Sequence, residues 1–293
     1  MRYRSLALLL MITTIVGIFP LLSTVDGTAA APVLVGRVHD NYDPSDGKIF
    51  VLIIGTDARN GNPNARADAI HIAGINTKTL KGGILNFPRD SWVSIPGYGS
   101  SKINEAVTAG GPELLARTLE NLTGIRLDYW VMTGFHGFQG AVKDLGGVKM
   151  HIPSAVYDRG YSGANLKAGT YKLKGFEALA YARARHPFMQ GDLARTRNQS
   201  RILLALLSKL RSEVADSPAA LLKWMAVTKE HTRYDISPDE MFRLGVLASQ
   251  VRARDVANVT VPVSIGAVGA ASVVFIQGGA RFLYQRFRQT GSL

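Results

Sequence analysis

Arginines, aspartates and glycines gather in three stretches of this chain, and each stretch could handle a charged ligand. The densest is LAYARARHPFMQGDLARTRNQSR. Between Tyr181 and Arg201 it holds five arginines, at 183, 185, 195, 197 and 201, against one acid, Asp192. Guanidinium forks match phosphate oxygens two at a time, so such a group suits a diphosphate. Without an anion the arginines repel one another, which favours a site over a solvated basic face. An extended Ala182–Arg185 would point Arg183 and Arg185 to one side, whereas a helix would spread them by about 200°. Arg195 and Gln199 are four apart, hence on one helical face. Few aromatics flank the stretch, so the stacking platform of a single-strand nucleic-acid binder is lacking.

The second stretch is VLIIGTDARNGNPNARADAI. An apolar run leads into Gly55, Thr56, Asp57 and Arg59, a Gly/Asn/Pro loop follows, and Arg66 and Asp68 enter the next apolar run. Ligands of open α/β sheets bind outside the carboxyl ends of strands. Asp57 and Asp68, flanking such a loop, could hold a hard cation such as Mg²⁺, although the same pattern is ordinary turn chemistry. The third stretch, ILNFPRDSWVSIPGYGSSKINEA, sets Arg89 and Asp90 at a strand end, with Lys102 and Asn104 beyond a Gly/Ser-rich loop. Taken alone, an Arg-Asp pair is most often a local ion pair. No Ser/His/Asp set, GxSxG, P-loop or HExxH motif is visible. The six histidines, including 71, 136, 151, 186 and 231, are scattered and read as ordinary surface or core residues.

The elements that must position these residues follow from periodicity. Strands are expected at Ile49–Ile54, Ala69–Ile75, Gly83–Phe87, Asp128–Thr133 and Val148–Ile152, and late ones at Val259–Val263 and Ser272–Ile276. Helices are expected at Pro112–Leu122, Phe135–Leu145, Phe176–Ala182, Leu193–Val214, 218–230, 238–252 and Arg281–Arg288. Strands alternate with helices, so the fold class is α/β, with helices on both faces of a sheet. The chain has 293 residues, 46% of them apolar and 19% charged, enough for a sizeable core. It has no cysteine, which excludes disulfides, thiolate metal sites and a cysteine nucleophile. The net charge of +12 and a pI near 10.0 imply an anionic partner: nucleic acid, phosphate or an acidic membrane.

Arg2 and Arg4 precede a run, Ser5–Val25, that holds no charged side chain, and the small residues GTAAAP follow. About 20 apolar residues span a bilayer. Residues 1–30 therefore read as a transmembrane anchor or a cleaved signal peptide. A linker at 31–47 and an extracytoplasmic domain at 48–293 would follow. A cell-membrane or secreted location argues against nucleic acid as a partner, and none is expected.

The three stretches together resemble the LytR-CpsA-Psr family of envelope enzymes, over roughly residues 48–212. The resemblance is carried by GTDAR, RAD, FPRDSWVSIPG, SKINEA, DYWV, LGGV, LKAGTYKLKGFEALAYARAR and GDLARTRNQ, in one order. Asn86 stands where the family often has Ser, and Asn198 where it often has Arg. The resemblance implies a three-layer α/β/α sandwich with a mixed central sheet and an apolar pocket for a polyprenyl chain. It implies a Mg²⁺-dependent phosphotransferase that moves a glycopolymer from a polyprenyl-pyrophosphate carrier to a peptidoglycan hydroxyl at the membrane. Carried over by motif, Asp57 and Asp68 would serve the Mg²⁺. Arg66, Arg89, Lys102, Arg183, Arg185, Arg195 and Gln199 would hold the pyrophosphate, with Arg89, Arg183 and Arg185 catalytic. Asp90 is a candidate general base by position. Leu114, Leu115, Leu119 and Leu203–Leu207 could line a lipid tunnel, but periodic apolar residues read first as core. A pyrophosphatase with water as acceptor and a non-catalytic lipid-binding module are the alternatives.

Overall fold

The computed structural model describes residues 33–39, 46–57, 66–186, 188, 191–234 and 236–293. The chain opens with four strands, β1 (Val33–Arg37), β2 (Lys48–Thr56), β3 (Ala67–Asn76) and β4 (Gly82–Asn86). A hairpin follows, β5 (Trp92–Ile95) and β6 (Gly99–Lys102), then α1 (Glu105–Thr123), β7 (Tyr129–Thr133) and α2 (Phe135–Asp144). Four short strands, β8 (Val148–Ile152), β9 (Val156–Asp158), β10 (Ala164–Leu166) and β11 (Gly169–Leu173), lead to α3 (Gly175–Arg183) and the long α4 (Gly191–Asp216). The chain closes with α5 (Ala220–His231), β12 (Thr232–Tyr234), α6 (Pro238–Gln250), β13 (Val256–Thr260), the hairpin β14 (Val263–Val268) and β15 (Ala271–Ile276), and α7 (Ala280–Thr290).

Seven strands form one mixed sheet in the order β12-β1-β7-β2-β3-β4-β13. β2 is its pivot, parallel to β7 on one side and antiparallel to β3 on the other. Alternation along β2 sends Phe50, Leu52 and Ile54 into a core shared with Leu114, Leu115 and Leu119 of α1 and Phe287 of α7. Ile49 and Val51 face the other way, toward Ile236 and toward Leu244 and Leu247 of α6. Helices thus cover both faces. A third core joins Val142, Val148, Ile152, Leu173, Tyr181 and Ile202. Gly74 of β3 faces Phe287, and a Cβ there would stand 2.5 Å from the ring, so a side chain at 74 would push α7 off the sheet.

Several expectations need revision. β1 lies inside the stretch read as a linker and pairs with both β7 and β12, so the domain starts before residue 48. Its five residues, VLVGR, are too few to separate from a Pro/Gly linker by pattern. The helix expected from Pro112 begins at Glu105. Gly110 and Gly111 leave helical geometry, Gly111 with φ 72°, and Pro112 restarts the helix. The strand expected at Val259–Val263 is split between β13 and β14, with Pro262 at the break. The run Leu203–Leu207 is partly buried, and Ala205 and Leu206 pack against the third core. Residues 1–30 lie outside the described residues, and among the described residues no helix is long and apolar enough to cross a membrane.

Tyr284 of α7 stacks on Phe87, centroids 6.2 Å apart, and its hydroxyl is buried with no hydrogen-bond partner. Burial pushes the phenol well above its ordinary pKa. An unmade hydrogen bond costs about 1–3 kcal/mol. Tyr284→Phe keeps the ring and removes the orphan, so the variant is expected to melt a few degrees higher. A lower melting temperature would show that the hydroxyl is satisfied.

Candidate active site

The carboxyl ends of β2 and β7, the start of β3, and the helices α2, α3 and α4 enclose a cavity of about 300 Å³. One part is apolar, with Phe135, Phe138, Leu179, Ala182, Ile202 and Leu203. The other part is polar, with Asp68, His71, Arg89, Arg183, Arg185, Arg195 and Gln199. Local structure explains how Arg183 and Arg185 both reach it. α3 runs through Arg183 and stops at Ala184, whose ψ of 128° turns the chain to an extended course. Neither the wholly extended nor the wholly helical alternative holds. Arg183 lies over the Phe135 ring, 4.6 Å from its centroid. Among the described residues neither guanidinium meets a carboxylate.

Arg89 is held differently. Its Nη1 donates to Asp68 Oδ1 at 2.5 Å, while its Nε faces Asp192 Oδ1 at 3.5 Å and Asp90 Oδ2 at 3.8 Å. Burial opposes the charge, but the three carboxylates outweigh it and raise the Arg89 pKa. Arg195 Nη2 pairs with Asp192 Oδ1 at 2.7 Å and reaches the Asp68 carbonyl at 3.4 Å. Gln199 Nε2 donates to the same carbonyl at 3.3 Å, so the one-face spacing read from the sequence is realised on α4. Burial pushes the Asp192 carboxyl up, against the pull of Arg195 and Arg89.

His71 and His186 of the wall, which read as ordinary residues in the sequence, and Asp158 behind it complete the site. His71 of β3 is fully enclosed. Asn86 Nδ2 donates to the Val259 carbonyl at 3.0 Å, which turns Asn86 Oδ1 toward His71 Nδ1 at 2.7 Å. His71 Nδ1 therefore carries the proton, and burial lowers the ring's pKa to about 4, keeping it neutral. The other two are Asp158 and His186. The buried Asp158 carboxylate accepts from the Arg185 backbone N–H at 3.2 Å and meets His186 Nδ1 at 3.0 Å. The His186 ring stacks on Tyr161 at 3.7 Å. This clasp fixes the turn that presents Arg185. Only its proximity in sequence to the arginines could have flagged His186.

Two of the expected phosphate ligands stand elsewhere. Arg66 and Lys102 line a second cavity, of about 390 Å³, with Asp90, Trp92, Ser101, Asn104 and Glu105. Arg66 Nε pairs with Glu105 Oε1 at 3.1 Å, and Lys102 Nζ with Asp90 Oδ1 at 2.9 Å. Arg89 lines both cavities. Asp57 follows β2 and Asp68 opens β3 beside it, at a register shift in the ladder. The loop 58–65, with Arg59, lies outside the described residues. Among the described residues no three His, Asp or Glu side chains gather as a complete cage. Asp57 and Asp68 stand at the same end of two paired strands, and Asp68 lines the cavity with the arginines; Mg²⁺ takes one or two carboxylates plus substrate phosphates, a donor set these residues fit.

An apolar cavity that runs into arginines has the chemistry that suits an amphiphile with an anionic head. The chain belongs to the LytR_cpsA_psr family, whose profile matches residues 28–285. It is 31% identical over 233 residues to the regulatory protein MsrR of Staphylococcus aureus (strain COL), covering 78% of this chain and 69% of that protein. It is 35% identical over 187 residues to the polyisoprenyl-teichoic acid–peptidoglycan teichoic acid transferase TagT of Bacillus subtilis (strain 168), covering 61% of this chain and 57% of TagT. Among solved structures it resembles TagT bound to LI-WTA, with a TM-score of 0.71 at 26% identity, over 86% of this chain and 93% of that one. It also resembles TagT with bound octaprenyl pyrophosphate lipid, with a TM-score of 0.68 at 25% identity, over 86% and 93%.

Proposed function

We propose that this protein transfers a glycopolymer from a polyprenyl-pyrophosphate carrier to a hydroxyl of peptidoglycan. One observation carries the reading: the apolar cavity is continuous with Arg89, Arg183, Arg185 and Arg195. A lipid chain fits the apolar part and a diphosphate the arginines. TagT, whose name states a teichoic acid transfer to peptidoglycan, and the TagT structure with octaprenyl pyrophosphate support it. The glycopolymer here is teichoic acid or a polymer of similar linkage.

In this reading Arg183 and Arg185, without carboxylate partners, neutralise the diphosphate. Arg89 and Arg195, fixed by Asp68 and Asp192, stabilise charge that grows on the oxygens as the bond to the lipid phosphate lengthens. Asp57 and Asp68 would hold Mg²⁺, which, when bound, supplies further neutralisation of phosphate oxygens. His71 stays neutral and adds no charge to the site. With residues 1–30 as its membrane segment, the domain would stand outside the membrane, on the side of its lipid-linked donor. The full chain, extracted in detergent, is expected to carry a polyprenyl phosphate or pyrophosphate detectable by mass spectrometry. Arg183→Ala should lose it. An added polyprenyl diphosphate that neither binds nor reacts with the wild type would overturn the reading.

A further inference from the structure

The second cavity has chemistry opposite to the first. Its cations are already answered, Lys102 by Asp90 and Arg66 by Glu105, so it offers little net charge to another anion. It does offer the half-buried Trp92 among donors and acceptors. Asn104 is 4% exposed, and its side-chain Oδ1 has no hydrogen-bond partner. Asn104 lines the cavity, so a turn of its amide would offer this unpaired acceptor to a ligand that brings a donor. The wall is rigid. Asn104 N donates to the Arg89 carbonyl at 3.2 Å, and Val274 N, from the β14–β15 hairpin, donates to the Asp90 carbonyl at 3.0 Å.

We infer that this cavity is the acceptor site, and that it takes an uncharged, polyhydroxylated sugar ring whose hydroxyl is delivered to the Arg89 side of the diphosphate. The inference rests on the transfer reading above and adds the direction of attack. Displacement at phosphorus places attacking and leaving oxygens roughly in line on opposite sides. The leaving group is the lipid phosphate, whose chain fills the apolar cavity. The attacker then comes from the opposite side, and the cavity that shares Arg89 with the first is the second one. The sugar hydroxyl oxygen forms a bond to the glycan-side phosphorus. The bond from that phosphorus to the bridging oxygen breaks, its electron pair leaves on the polyprenyl monophosphate, and the hydroxyl proton passes to the Asp90 carboxylate. Lys102 holds Asp90 Oδ1, and Oδ2, which stands 3.8 Å from Arg89 Nε, takes that proton.

The test uses the full chain in detergent, a polyprenyl-diphosphate-linked disaccharide as donor and uncrosslinked peptidoglycan oligomers as acceptor. Trp92→Ala removes the ring, and Ser101→Trp fills the cavity. Both are expected to raise the acceptor KM about tenfold, to leave the donor KM within about twofold, and to shift product toward the water-derived phosphate. Thermal melts confirm that the variants fold. An unchanged acceptor KM in both variants, with normal wild-type transfer, overturns the acceptor assignment alone. A donor KM that rises in step overturns it too, because the cavity would then serve the donor. A wild type that cleaves no donor overturns the transfer reading as well.

Discussion

Arg89→Ala will lower transfer by about 10²–10³-fold, the usual cost of removing one charge-stabilising donor from a reacting oxygen. It will also destabilise the fold by about 2–4 kcal/mol, because losing one partner strands the others. Asp68, Asp90 and Asp192 all face this one guanidinium. The pH dependence follows in sign. The Asp192 carboxyl already lies above its ordinary value through burial, and losing Arg89 raises it further. A carboxyl whose folded pKa exceeds its unfolded one binds its proton more tightly when folded. The variant will therefore gain stability as pH falls through that raised value and lose it as pH rises. Denaturant titrations from about pH 8 to about pH 4 measure this. A deficit that stays constant with pH would show that the carboxylates are screened by something other than Arg89. Arg89→Lys will recover part of the stability but little transfer, since the ammonium has no fork.

Ala182→Phe will shorten the lipid that the protein can hold. Ala182 is 9% exposed and lines the apolar part of the cavity one residue before Arg183. Each methylene withdrawn from water contributes about 0.8 kcal/mol. Wild-type affinity should rise with polyprenyl chain length until the cavity is full. In the variant the rise should stop earlier, leaving long-chain diphosphates at least about 100-fold weaker, while inorganic pyrophosphate binds as before. Calorimetric titration with a series of chain lengths reads both limbs. An equal drop for every ligand, pyrophosphate included, would mean that the new ring has displaced Arg183 and that the apolar part does not hold the chain.

The strands β2, β3, β4 and β7 were legible because each is a largely apolar run closed by glycine or a turn, and β8 because apolar and polar residues alternate along it. The pairs β5–β6, β9–β10 and β12 were not: each strand is three or four residues, too short for a period to show. At the site, the arginine density around 183–195 and the i,i+4 pair Arg195–Gln199 pointed to one pocket, and the structure brings these residues together. What the sequence could not show was partition. Arg66 and Lys102 look like further phosphate ligands until Glu105 and Asp90 are seen beside them. Charge counted along a chain does not reveal which cations are neutralised across it. His71 and Asp158 were invisible for a related reason, since both depend on distant partners, Asn86 and His186.

The two edges of the central sheet bear on how the molecule reaches its native state. β12 closes one edge by pairing with β1 across about 200 residues, and β13 closes the other by pairing with β4 across more than 170. Both pairings are parallel, and both edge strands come from the last quarter of the chain. During synthesis the inner strands can form hairpins early, but their outer neighbours are not yet made. Until those strands arrive, β1 and β4 expose bare backbone donors and acceptors to any passing chain. Folding is therefore expected to be slow and to finish in one late closing step, and a chaperone that covers strand edges would shorten the dangerous interval.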